Sequence, residues 1–119
     1  MLEMKRLRRV ASVASLLLLS LAGDASADPF DGRWDGLATA TSGRCRPAAV
    51  TLTVSDKVGI GQVNFQRGTH DIRGTVTKDG AFGATIVFER LTGTFVRDMF
   101  EGIFTGDDCI WKMVLKRTR

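Results

Sequence analysis

Between Ala49 and Ser55 apolar and polar side chains take strict turns, with Val50, Leu52 and Val54 set against Thr51, Thr53 and Ser55. A period of two is the mark of a strand with one buried and one wet face. The alternation recurs in His70–Thr77, where Ile72 and Val76 oppose Arg73, Thr75 and Thr77. It recurs again in Phe82–Glu89, where Phe82, Ala84, Ile86 and Phe88 oppose Thr85 and Glu89. Lys78-Asp79-Gly80-Ala81 separates these two runs, and Asp-Gly supplies the positive φ of a tight hairpin, so the runs are expected to be antiparallel neighbours. Near the end of the chain Trp111, Met113, Leu115 and Arg117 share one face and Lys112, Val114 and Lys116 the other.

Read through in this way, the chain has strands at 33–41, 49–55, 60–65, 70–77, 82–89, 91–97, 99–105 and 109–117. No connection has room for the crossover helix that a parallel pair needs. The prediction is an all-β fold, a single antiparallel up-and-down β-barrel of about eight strands, whose closure removes both exposed edges. An eight-stranded interior is only just wide enough to be filled by side chains or to hold one small ligand. The inward set includes Trp34, Phe82, Phe88, Phe95, Phe100, Phe104 and Trp111. With that bulk the interior is expected to be filled and recognition to fall to loops or an outer face.

The first 27 residues follow a different pattern. Lys5, Arg6, Arg8 and Arg9 form a basic head, Val10–Ala22 is an unbroken mainly apolar run, and Ala25-Ser26-Ala27 offers small residues for cleavage. These three parts predict a helical secretory signal peptide cut after Ala27, and hence a periplasmic or secreted protein. A run of that length falls short of the ~20 residues a membrane helix needs. The Arg8-Arg9 pair raises a twin-arginine signal, but Val10-Ala11 follows without the larger apolar residue expected next, which favours the general secretory route. Residues 28–119 then form one small domain.

Processing changes the charge. The whole chain carries +4, from 17 basic and 13 acidic residues, and loss of four basic and two acidic residues with the leader lowers it to +2. So modest a balance gives no support for nucleic acid as a partner. Most of the strands fall short of the ~9–11 residues of membrane barrels, and their outer face carries Thr, Lys, Arg and Glu, so the mature domain is expected not to span a membrane.

Cys45 and Cys109 both remain after processing. In a small exported domain such a pair is expected to form one disulfide, which would close a loop spanning most of the domain and contribute on the order of 4 kcal/mol. A free or metal-binding pair is the alternative, although no histidine lies near either cysteine in the sequence. Trp34 has Gly32 and Gly36 on its own face, which leaves room for the indole to lie over its strand as a core plug.

Candidate chemistry is sparse. His70 is the sole histidine and lacks partners for a metal site or triad; beside Asp71 it reads as a surface residue bonded to its neighbour. Asp28, Asp31 and Asp35 lack the encircling loop calcium prefers. Asp107-Asp108 suits a turn better than a carboxylate pair for glycoside chemistry. Gly59-Ile60-Gly61 has no following helix to make it a phosphate cradle. No catalytic, cofactor or metal set is therefore assigned. Arg44, Arg46, Arg67 and Arg90 are the candidate surface recognition residues, and Arg67, Arg90 and Lys116-Arg117 are a candidate anion patch.

Gly32-Arg33-Trp34 on a first strand with Arg117 on the last resembles the calycins, the superfamily of lipocalins, avidins and related small barrels. The resemblance implies a tryptophan packed across one barrel end beneath a late-strand arginine, so Trp34 and Arg117 together become the structural plug. Gly74-Thr75-Val76 and Gly93-Thr94-Phe95 look like the meander of avidin-type barrels, but a chain without tyrosine lacks that family's ligand-binding tyrosine. The mature region also resembles a class of small exported bacterial β-barrel proteins with an F-D-G-x-W start, G-T-x repeats and a cysteine shortly before a final tryptophan-containing strand. That resemblance implies fold and export, and no activity.

The leading expectation is a non-enzymatic exported barrel that recognises a protein or cell-envelope component, with inhibition of a secreted hydrolase as one form by analogy of fold. A calycin-type carrier of a small ligand is the alternative, and it requires a cavity.

Overall fold

A computed structural model describes residues 28–86, 89–106 and 108–119. The expected leader at 1–27 and the inward position of Phe88 lie outside the described residues, as does the side chain of Ile86. Eight strands follow one another: β1 (Gly32–Ser42), β2 (Ala48–Ser55), β3 (Val58–Phe65), β4 (Gly68–Val76), β5 (Ala81–Ile86), β6 (Glu89–Val96), β7 (Met99–Thr105) and β8 (Ile110–Arg117). Each pairs antiparallel with the next, and β8 pairs with β1 to close the barrel. The all-β up-and-down architecture expected from the alternation is the one observed. No helix among the described residues is long and apolar enough to cross a membrane.

Local chemistry sets the turns. Asp56 and Lys57 both take positive φ, 52° and 64°, so β2 and β3 join through a two-residue turn whose twist matches the strands. The Asp31 carboxylate accepts the Asp56 backbone N–H at 3.2 Å and ties that turn to the segment before β1. In the next hairpin at the same end Gly80 takes a φ of 98°.

Inside, every second residue is buried. Val50, Leu52 and Val54 of β2, Phe100 and Phe104 of β7, and Trp111, Met113 and Leu115 of β8 are all at or below 5 % exposure. Leu91, which the alternation left unassigned, joins them at 0 %. One expectation is corrected. Glu89 does not end a long fifth strand on its outer face; it opens β6, opposite Ile86 of β5. Leu91 and Phe95 point inward along β6, and the period of two gives Glu89 the same face.

In a meander alternate connections share an end. The β2–β3, β4–β5 and β6–β7 turns therefore lie with the start of β1 and the end of β8. The β1–β2 loop and the β3–β4, β5–β6 and β7–β8 connections lie at the opposite end.

The first end is sealed. Trp34, fully buried, donates its indole N–H to the Phe30 carbonyl at 3.1 Å. Phe95 meets it edge-on at 4.7 Å between ring centres, and Phe100 and Phe82 continue the cluster. Arg117 covers the outside, its guanidinium 4.7 Å from the centre of the Trp34 ring. Its Nη1 donates to the carbonyls of Pro29 and Asp31, and Nη2 to that of Arg97, each at 2.9 Å. Nε pairs with Asp98 at 3.0 Å. Gly32 must be glycine here: its φ is +138°, and a Cβ would strike the Arg119 backbone carbonyl and stand 3.2 Å from Arg117 Cδ.

Candidate functional site at the open end

At the opposite end the barrel is left with a mouth. A cleft of about 710 Å³ opens there, within the range of small-molecule sites. Its described lining comes from strands and connections around the barrel. Arg44, Cys45 and Arg46 belong to the β1–β2 loop, Phe65 ends β3, and Gln66 and Arg67 form the β3–β4 turn. His70, Glu89 and Trp111 stand on the inner faces of β4, β6 and β8, with Gly106, Asp108 and Cys109 in the β7–β8 connection.

The β1–β2 loop is held by the Cys45–Cys109 disulfide, which spans 64 residues of sequence with a Cα–Cα distance of 6.4 Å. Both cysteines are thereby accounted for, and the free or metal-binding alternative falls away. Gly43 takes a φ of +90°, and a Cβ on it would stand 2.6 Å from the Cys109 sulfur. Only a glycine lets the loop turn this closely over the bridge. The consequence is that Arg44 and Arg46, on either side of Cys45, are carried at the rim.

Beneath the rim lies an aromatic floor. Phe65 is half-buried and lies 5.2 Å from Trp111 and 5.8 Å from Phe104, centre to centre. Phe104 is fully buried and Trp111 only 5 % exposed, so the shaft below Phe65 is closed. Among the described residues the interior is therefore filled over most of its depth, as its bulk predicted.

His70 is corrected as well. Its Nδ1 meets Glu89 Oε1 at 2.7 Å, while Asp71 accepts a hydrogen bond from Gln62 at 3.3 Å. Neighbours along a strand point to opposite faces, so Asp71 could not be its partner. The described β4–β5 ladder runs from Val76↔Phe82 to Gly74↔Ala84, and the His70–Glu89 contact links β4 to β6. Phe65 stands edge-on to the imidazole at 4.9 Å.

Of the candidate recognition residues, three converge. Arg44, Arg46 and Arg67 line the mouth. Arg46 precedes β2 and Arg67 lies in the turn after β3, and the pairing of β2 with β3 puts both at this end. Among the described residues none of the three takes part in an ion pair. Arg90 does not join them; it is exposed on β6, opposite Thr85 and Thr105. Nor does the patch of Arg67, Arg90 and Lys116-Arg117 exist, because Lys116 and Arg117 belong to the sealed end. The acidic candidates are also separate. Asp31 serves the Asp56 turn, and Asp35 accepts from Arg33 and Thr118.

Phe65, Gln66, His70, Glu89 and Trp111 were not singled out as a site by the sequence. Comparison of the chain with family models, curated proteins and solved structures gives no match.

Proposed function

We propose that this protein is an exported, non-enzymatic recognition module that takes an anionic group of its target, a protein or cell-envelope component, at the open end of the barrel. The observation that carries this reading is the convergence of Arg44, Arg46 and Arg67 around a cleft with an aromatic floor. Guanidinium groups recognise carboxylates and phosphates through paired hydrogen bonds. A carrier role for a small ligand is the second reading, favoured by the size of the cleft.

Export is supported by the leader pattern and by the disulfide, which suits an oxidising compartment. Mass spectrometry of the protein purified from its native host is expected to find Asp28 at the N-terminus. A product retaining Val10–Ala22 would defeat the export argument.

Recognition is tested with two baits differing only in where charge is lost. Arg44→Gln/Arg46→Gln/Arg67→Gln is expected to abolish salt-sensitive capture of envelope components, whereas Arg33→Gln/Arg73→Gln/Arg90→Gln, altered on the outer wall, is expected to retain it. Equal capture by both would remove the mouth from the function.

A further inference from the structure

The mouth specifies more than the sign of a charge. Phe65 is the ring of its cluster that still presents surface to the cleft, since Trp111 and Phe104 behind it are buried. Val63, directly below Phe65 on the same face of β3, is fully buried too. An extended alkyl chain therefore finds no channel along the barrel axis, whereas a flat group one or two rings wide can lie against Phe65. Offset or edge-on contacts between rings are favoured over equal areas of aliphatic contact.

The rim carries both signs of charge. Arg46 and Arg67 stand above β2 and β3, next to Phe65, and Arg44 is on the same stapled loop. The carboxylates of the lining, Glu89 and Asp108, belong to β6 and the β7–β8 connection. Glu89 is already engaged by His70. Arg67 follows Phe65 by two residues in the β3–β4 turn, so an anion held there sits beside the aromatic surface. We infer that the open end binds a compact aromatic ring bearing a single anionic group, with the ring against Phe65 and the anion against Arg46 and Arg67. This inference rests on the anion-recognition reading above and narrows it to one chemical class.

Isothermal titration calorimetry of the purified protein tests it with 2-naphthoate, 2-naphthalenesulfonate, 2-naphthyl phosphate, 2-naphthamide and dodecanoate. At least one naphthyl anion is expected to saturate at one site per chain, and comparison of the three shows which anionic group is preferred. The neutral amide is expected to bind about tenfold more weakly or worse, as the loss of a charge-assisted hydrogen bond implies. Dodecanoate is expected to bind more weakly than the best naphthyl anion. Arg67→Gln should weaken that anion about tenfold with an unchanged circular dichroism spectrum, and Phe65→Leu should erase its advantage over dodecanoate.

Tighter binding of dodecanoate would overturn the aromatic inference while leaving anion recognition standing. Binding of the amide as tight as that of the acid would overturn both. Absence of binding by every probe, with mouth-dependent capture of an envelope component intact, would overturn this inference alone.

Discussion

The two ends of the barrel are finished by different means. At the start of β1 the interior is sealed by rings: Trp34, Phe95, Phe100 and Phe82 fill the space, and Arg117 lies over the indole and bonds to three backbone carbonyls. At the other end the loop is tied by sulfur, through Cys45 and Cys109. Sealing buries apolar surface and removes space, whereas a staple restrains a loop without filling anything. The tied end can therefore be ordered and empty together, which a binding site requires.

The largest effects should separate these two devices. Trp34→Ala removes the indole from a fully buried position and is expected to cost about 3–5 kcal/mol in urea unfolding. A loss below about 1 kcal/mol would mean that the ring is not a plug. The double change Cys45→Ser/Cys109→Ser is expected to cost on the order of 4 kcal/mol, the chain-entropy value for a loop of this length. The contrast lies in the second readout. Removing the staple should also make the β1–β2 loop sensitive to protease in the folded state, whereas Trp34→Ala should leave that loop as resistant as before. Equal proteolysis of both variants would erase the distinction between sealing and tying.

Arg117→Ala sharpens the sealed end further. It removes the guanidinium from the carbonyls of Pro29, Asp31 and Arg97 and from Asp98. These groups are partly reached by water, so the expected loss is about 2 kcal/mol rather than the sum of the bonds. Arg117→Lys should recover only a small part, because a compact ammonium cannot span several carbonyls or stack on the indole as the planar group does. Full rescue by lysine would show that the charge matters there and the shape does not.

How much of this was legible beforehand follows from the same contrast. The sealed end was readable because its signals are local: Gly32, Trp34 and Gly36 share a face in five residues, and the alternation along β8 sets Arg117 on the inner side. Apart from the end of β5, the strands were readable to within a residue or two for the same reason, since the period of two is written in each segment separately. The mouth was not readable in this way. Arg44, Arg46 and Arg67 stood out one at a time, but their convergence depends on the odd-numbered connections of a meander all lying together, a consequence of topology rather than of any one stretch. That rule could have been applied once eight sequential strands were counted. It would also have brought His70 and Trp111 to the same end. Glu89 was misassigned because the apolar run from Phe82 to Phe88 reads as one uninterrupted strand, and nothing in the composition of that run marks where β5 stops.

The smallest stability effect falls on the residues with the largest proposed role in binding. Arg67 is exposed in a two-residue turn and makes no ion pair among the described residues. Arg67→Gln is therefore expected to change unfolding free energy by no more than about 0.5 kcal/mol. The same holds for Arg44→Gln and Arg46→Gln, whose loop is positioned by the disulfide rather than by their guanidinium groups. Three unpaired cations crowded at one rim repel one another, so the triple variant is expected to be as stable as the parent or slightly more so at low salt, with the difference disappearing as salt screens the rim. On the anion-recognition proposal, groups kept together without a structural partner are held for something outside the chain. Measurable destabilisation of the triple variant, above about 1 kcal/mol and independent of salt, would instead make these arginines part of the scaffold and would leave the open end without its claim to function.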